Sequence, residues 1–96
     1  MLVLITYDVD TTSDSGKKRL RNVAKACKDY GQRVQNSVFE CLLTEAQFLL
    51  LKARLESIIK MDLDSIRFYF LGKNWKRRVE SIGITTSFDM TGDLII

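Results

Sequence analysis

Residues 1–10 read MLVLITYDVD, and residues 16–31 read GKKRLRNVAKACKDYG. The first stretch is a short apolar run with almost no alternation between Leu2 and Ile5. Such a run predicts a strand over residues 2–8, buried on both faces. It ends in Asp8 and Asp10, so its carboxylates stand at the mouth of a sheet. The second stretch predicts a helix over residues 16–30, with Leu20, Val23, Ala24, Cys27 and Tyr30 along one face. Gly31 follows as a terminator able to take the left-handed conformation.

The same reading extends along the chain. Residues 33–43, RVQNSVFECLL, are β-rich with a tight turn at Asn36 and Ser37. Thr44 and Gln47 have the spacing of a capping box and open a second helix through residue 60. Its apolar stripe is Phe48, Leu51, Leu55, Ile58 and Ile59. A turn over residues 61–64 leads to a strand over 65–71, SIRFYFL. From residue 82 the tail leans towards β and ends in Leu94, Ile95 and Ile96.

Strand, helix, strand pair, helix, strand and a tail make one α+β domain spanning residues 1–96, a ferredoxin-like βαββαβ unit with an extra C-terminal strand. Helices cover one face of such a sheet. Phe68, Tyr69 and Phe70 put apolar side chains on both faces, which argues for sheet-to-sheet pairing in a homodimer. The apolar end of the tail fits an edge strand added to the partner's sheet.

Composition sets the chemistry available. A chain of 96 residues buries only about 60–70 % of its unfolded surface, so a second copy helps it. No apolar stretch approaches the ~20 residues of a membrane helix, and no charged leader precedes an apolar core. A cytoplasmic protein with no membrane partner is expected. Cys27 and Cys41 sit in apolar patterns without metal-like spacing and read as core thiols in a reducing compartment. Histidine is absent, which excludes His-based triads and His metal ligands.

Charge is informative through its distribution. The net charge is only +3, yet six cations and no acid fall between Lys17 and Lys28: Lys17, Lys18, Arg19, Arg21, Lys25 and Lys28. Four more (Lys73, Lys76, Arg77 and Arg78) lie in KNWKRR, again without an acid. Two basic surfaces on a near-neutral protein are expected. Lys17, Lys18 and Arg19 oppose the positive end of the helix macrodipole, at a cost of about 0.3–1 kcal/mol each. A bound phosphate reverses that penalty. The nucleic-acid-binding candidates are Lys17, Lys18, Arg19, Arg21, Lys76, Arg77 and Arg78. Trp75 reads as packing, with base stacking as its other use.

Carboxylate beside cations suits phosphodiesters, which bind both a hard metal ion and basic side chains. Asp8 is the metal-ligand candidate. One carboxylate holds a divalent ion poorly, but a two-fold axis supplies a second Asp8. Mg2+, or another divalent ion such as Mn2+, would then serve as cofactor. Asp10 and Asp14 read as loop and capping residues. Ser37 either shapes its turn or donates to phosphate.

Three pieces resemble a known family: LITYDVD at 4–10, RLRNVAKACKDYGQRVQNSVFECLLT at 19–44, and DSIRFYFL at 64–71. In that order and spacing they are similar to the small CRISPR-associated adaptation protein Cas2, companion of the CRISPR-associated integrase Cas1. The resemblance spans the chain. It implies a ferredoxin-like homodimer whose C-terminal strand crosses to the partner, here from about residue 82. It implies a metal-dependent endonuclease on DNA or RNA, with Asp8 as metal ligand. It also implies catalytic roles for Arg19 and for Ser37 and Phe39 of the SVF motif. A non-catalytic alternative stays open: a DNA-binding scaffold that bridges integrase dimers and holds the prespacer duplex. A metal-free RNA-cleaving toxin-like domain is disfavoured, because its chemistry needs a proton-transferring base and histidine is absent.

Overall fold

The computed structural model describes residues 1–72 and 79–84. Seven elements follow one another: β1 (Leu2–Asp8), α1 (Asp14–Lys28), β2 (Gln32–Gln35), β3 (Val38–Leu42), α2 (Glu45–Ile58), β4 (Ser65–Leu71) and β5 (Val79–Gly83). The strands form one antiparallel sheet in the order β2-β3-β1-β4-β5. The first four strands have the expected ferredoxin-like arrangement, and β5 extends it at the β4 edge. Both helices lie on one face.

That face holds the core. Val3, Ile5, Phe39, Cys41, Ile66, Phe68 and Phe70 point from the sheet towards Val23, Ala26 and Cys27 of α1 and Phe48, Leu51 and Leu55 of α2. The Phe48 ring stands edge-on to Phe68 at 5.2 Å and to Phe70 at 5.0 Å. Fully burying each such side chain contributes about 1.5–3 kcal/mol, so this aromatic cluster anchors α2. The capping box at Thr44 and Gln47 is formed with both reciprocal hydrogen bonds.

The structure changes several details. β1 is not buried on both faces: Val3, Ile5 and Tyr7 are covered, whereas Leu2, Leu4 and Thr6 are half-buried and Asp8 is exposed. Only one sheet face receives helices, so alternation reappears in the accessibility of an apolar strand. The helix α1 starts at Asp14, two residues early, because Ser13 caps it by accepting from the Gly16 N–H at 3.1 Å. Its buried stripe is rotated to Gly16, Arg19, Val23, Ala26 and Cys27, with Leu20, Ala24 and Tyr30 at its margin. The helix α2 stops at Ile58, since Ile59 is extended and the Lys60 N–H turns to the Asp64 carboxylate.

Gly31 is needed for space, not for a left-handed turn. A Cβ there would run into the Cys41 Sγ and the Glu40 carbonyl, where the chain leaving α1 crosses β3. Among the described residues the positive-φ glycines are Gly72 and Gly83, at 79° and 95°. Ile82 and Gly83, the start of the segment expected to cross to a partner, belong to β5 on the chain's own β4. Residues 85–96 lie outside the described residues, as do Trp75, Lys76, Arg77 and Arg78.

Candidate functional site

The site is built where β1 leaves the sheet. Alternation along β1 sends Tyr7 into the core and Asp8 to the face without helices. In the sheet register Asp8 lies opposite Ser65 of β4, and Thr6 lies between Val38 and Arg67. Val9 dips back into the core, and the next residues form a loop held by short-range hydrogen bonds. The Asp10 carboxylate accepts from the Thr12 hydroxyl at 2.7 Å and the Thr12 N–H at 2.9 Å. Those two bonds hold its pKa below the usual carboxylate range. Asp10 is therefore the loop residue expected, and Asp14 sits in the first turn of α1.

Arg19 turns inward. Its Nε donates to the Asp64 Oδ2 at 2.8 Å and its Nη2 to the Oδ1 at 3.3 Å. The same guanidinium reaches the Ser15 hydroxyl at 3.3 Å and the Asp10 carbonyl at 3.4 Å. Asp64 is fully buried and also accepts from the N–H groups of Asp10 at 3.0 Å and Lys60 at 2.9 Å. One carboxylate thus ties together the exit of β1, the start of α1 and the end of α2. Its own backbone carbonyl receives the Ile84 N–H at 2.7 Å, which adds the end of β5 to the same junction. Gly83 passes that carbonyl so closely that a Cβ would strike it.

The electrostatics agree with this geometry. Burial disfavours the charged form of Asp64, but the Arg19 guanidinium and two backbone donors outweigh it and lower its pKa. The hydrogen bond to Asp64 likewise raises the pKa of Arg19. The pair is satisfied on both sides, as a buried charge must be.

The other expected residues are distributed differently. Lys17, Lys18 and Arg21 are exposed along α1. Ser37 is half-buried in the β2–β3 turn, and its carbonyl accepts the Tyr7 N–H at 3.2 Å, next to Asp8. Phe39 is fully buried on the helix side, stacked near Tyr7 with ring centroids 6.1 Å apart. Asp8 and Ser37 therefore share an end of the sheet, whereas Phe39 and the Arg19 guanidinium lie beneath it.

Asp64 escaped the sequence reading. Its signal was Arg19 itself, which falls on the 19, 23, 26, 27 stripe of α1. A cation on a buried stripe demands a buried anion.

A ligand set for a metal can be tested on the donors present. Among the described residues no three His, Cys, Asp or Glu side chains cluster. Asp64 is fully engaged and Asp10 is held through its Oδ1, whereas Asp8 faces solvent at the end of the central strand. That fits an ion such as Mg2+, which keeps several waters and takes one or two carboxylates plus substrate phosphates, and not a closed cage.

Comparison with known proteins agrees with this fold. A family model described as CRISPR associated protein Cas2 matches residues 1–79. The chain is 56 % identical over 95 residues to a CRISPR-associated endoribonuclease Cas2 of Rhodospirillum rubrum, covering 99 % of this chain and 100 % of the relative. It is 58 % identical over 95 residues to a CRISPR-associated endonuclease Cas2 of Halalkalibacterium halodurans, covering 99 % of each. The crystal structure of Streptococcus pyogenes Cas2 at pH 6.5 superposes with a TM-score of 0.71 at 65 % identity, covering 86 % of this chain and 100 % of that one.

Proposed function

The chain belongs to the CRISPR associated protein Cas2 family, and on that premise we propose that it is a metal-dependent endonuclease of CRISPR adaptation. Its substrate is a phosphodiester of double-stranded DNA or single-stranded RNA. Relatives at more than half identity carry the names endoribonuclease and endonuclease. The observation that carries the reading is the exposed Asp8 carboxylate at the end of the central strand, close to an Asp64 carboxylate already committed to Arg19.

Two copies complete the arrangement. The helix-free face is apolar at the end away from Asp8, where Leu2 lies between Leu42 and Leu71. Leu42 is 77 % exposed and Leu71 41 %. A second copy packed on this face would cover those leucines and bring a second Asp8. The two Asp8 carboxylates would hold Mg2+ or Mn2+, which when bound supplies Lewis acidity towards phosphate and water. Lys17, Lys18 and Arg21 attract the phosphate backbone. Ser37 shapes the turn that abuts Asp8. Arg19 and Phe39 act beneath the surface: Arg19 fixes the β1–α1 loop through Asp64, and Phe39 packs under Tyr7. No described helix is long and apolar enough to cross a membrane.

The burial of Arg19 and Phe39 also favours the second reading, a DNA-binding scaffold docked to the integrase Cas1, in which charge and shape suffice. Cleavage of a labelled DNA duplex and a single-stranded RNA, with Mg2+ or EDTA, separates the two. Metal-dependent cutting that disappears in Asp8→Asn is expected. Equal cutting by the variant, or none by either protein, leaves the scaffold.

A further inference from the structure

On the helix side of the sheet, away from Asp8, a groove of about 680 Å³ runs between α1 and the edge strand β2. Arg21, Lys25 and Lys28 line it from α1, and Gly31, Arg33 and Phe39 line it from the other side. None of its lining residues is acidic. The acids nearby are turned elsewhere. Asp29, next to Lys28, pairs with Arg54 at 2.8 Å. Glu40 is exposed on the opposite face of the sheet from its neighbour Phe39. Among the described residues, none of the four groove cations is in an ion pair.

The cations are ordered, not scattered. Positions 21, 25 and 28 recur at helical spacing and continue a row from Lys17 and Lys18 down one side of α1. Seven residues at 1.5 Å each span about 10 Å, enough for the row to meet neighbouring phosphates of a nucleic-acid backbone at once. Arg33 is held over the buried Phe39 ring at 5.1 Å, which fixes its guanidinium at the groove wall. Lys25 and Lys28 also complement the negative end of the α1 dipole. That explains two cations near a helix end, but neither Arg33 nor the acid-free lining. β2 itself is four residues long and has a register shift between Arg33 and Gln35. Such an edge resists strand addition by a peptide.

We propose that the α1–β2 groove is a second phosphate-backbone site, which takes neighbouring phosphates of a nucleic-acid strand that reaches it along α1. The inference rests on the nucleic-acid reading above but not on cleavage. It gives the protein a hold on nucleic acid remote from Asp8, so bound length and the reacting phosphate are set by different residues.

The test is fluorescence anisotropy on a labelled DNA duplex and a labelled single-stranded RNA between about 50 and 200 mM salt. Full-length wild type is compared with Lys25→Gln/Lys28→Gln, with that pair plus Arg33→Gln, and with Thr44→Ala. Circular dichroism checks that each variant is folded, and the pair leaves the Arg33–Phe39 contact intact should the triple variant be disturbed. The log–log salt slope should become shallower by about 1.6 in the pair and about 2.4 in the triple variant, at roughly 0.7–0.9 per phosphate contact. Thr44→Ala should keep the wild-type slope. Unchanged slopes in folded variants, with wild type still binding, overturn the groove alone. Wild type that binds neither nucleic acid overturns the functional reading as well. Variants that lose binding to poly-glutamate but not to nucleic acid would assign the groove to an acidic protein partner and overturn the proposal.

Discussion

Asp8 and Asp64 lie close together, since Asp8 pairs with Ser65 and Asp64 directly precedes it, yet they use the same side chain in opposite ways. Asp64 is fully buried and takes four hydrogen bonds, two from Arg19 and one each from the Asp10 and Lys60 N–H groups. Asp8 faces solvent on the helix-free side. The first carboxylate is committed to holding three chain segments together. The second is left available for a ligand. On the proposed reading the two acids divide stability from chemistry, Asp8 on the helix-free face and Asp64 buried at the same end of the sheet.

Breaking the committed partner should have the largest effect. Asp64→Ala leaves the Arg19 guanidinium buried without its anion, and such a change costs about 3–5 kcal/mol. That is a large part of the roughly 5–15 kcal/mol of a whole domain. Urea unfolding should show the midpoint fall, while Asp8→Ala changes stability by less than about 0.5 kcal/mol. Equal losses at the two positions would erase the distinction.

Acid sharpens it. Because the folded pKa of Asp64 lies below its unfolded value, its contribution is fully present above about pH 4. It is lost as pH falls through the lowered folded value. Stability of the wild type should decline in that acidic window, and Asp64→Asn should lack this component of the decline. A thermal-melt series against pH reads both.

Smaller effects mark the rest of the helix layer. Thr44→Ala removes the cap of α2 and should cost about 1 kcal/mol with no change in nucleic-acid binding. The Arg54–Asp29 pair is 39 % and 53 % exposed in its side chains, so Arg54→Ala should cost less than about 1 kcal/mol. Thermal melts of these two variants set the scale against which Asp64 is judged.

Local rules made much of this legible in the sequence. The strand bounds at 2–8 and 65–71 agree with β1 and β4, because each is an apolar run closed by polar residues. The turn at Asn36 and Ser37, the capping box and the fold class follow from similar short-range chemistry. Asp64 did not, because its partner lies 45 residues away in the chain and only packing brings them together. Arg19 looked like a phosphate ligand while it was judged by its basic neighbours. Its place on the buried stripe decides its partner. Gly31 likewise reads as a helix terminator in sequence, whereas β3 passing against it is what demands glycine there. Asp8 was legible as a candidate because a carboxylate ending a central strand stands out in sequence.

The most direct measurement is a paired one on Asp8→Asn and Asp64→Asn, reading the unfolding midpoint and metal-dependent cleavage of the same samples. The predicted result is a crossing: Asp8→Asn keeps the wild-type midpoint and loses cleavage, while Asp64→Asn loses stability and still cuts at temperatures where it remains folded. If Asp8→Asn unfolds early, or cuts as the wild type does, the division of labour between the two carboxylates is contradicted.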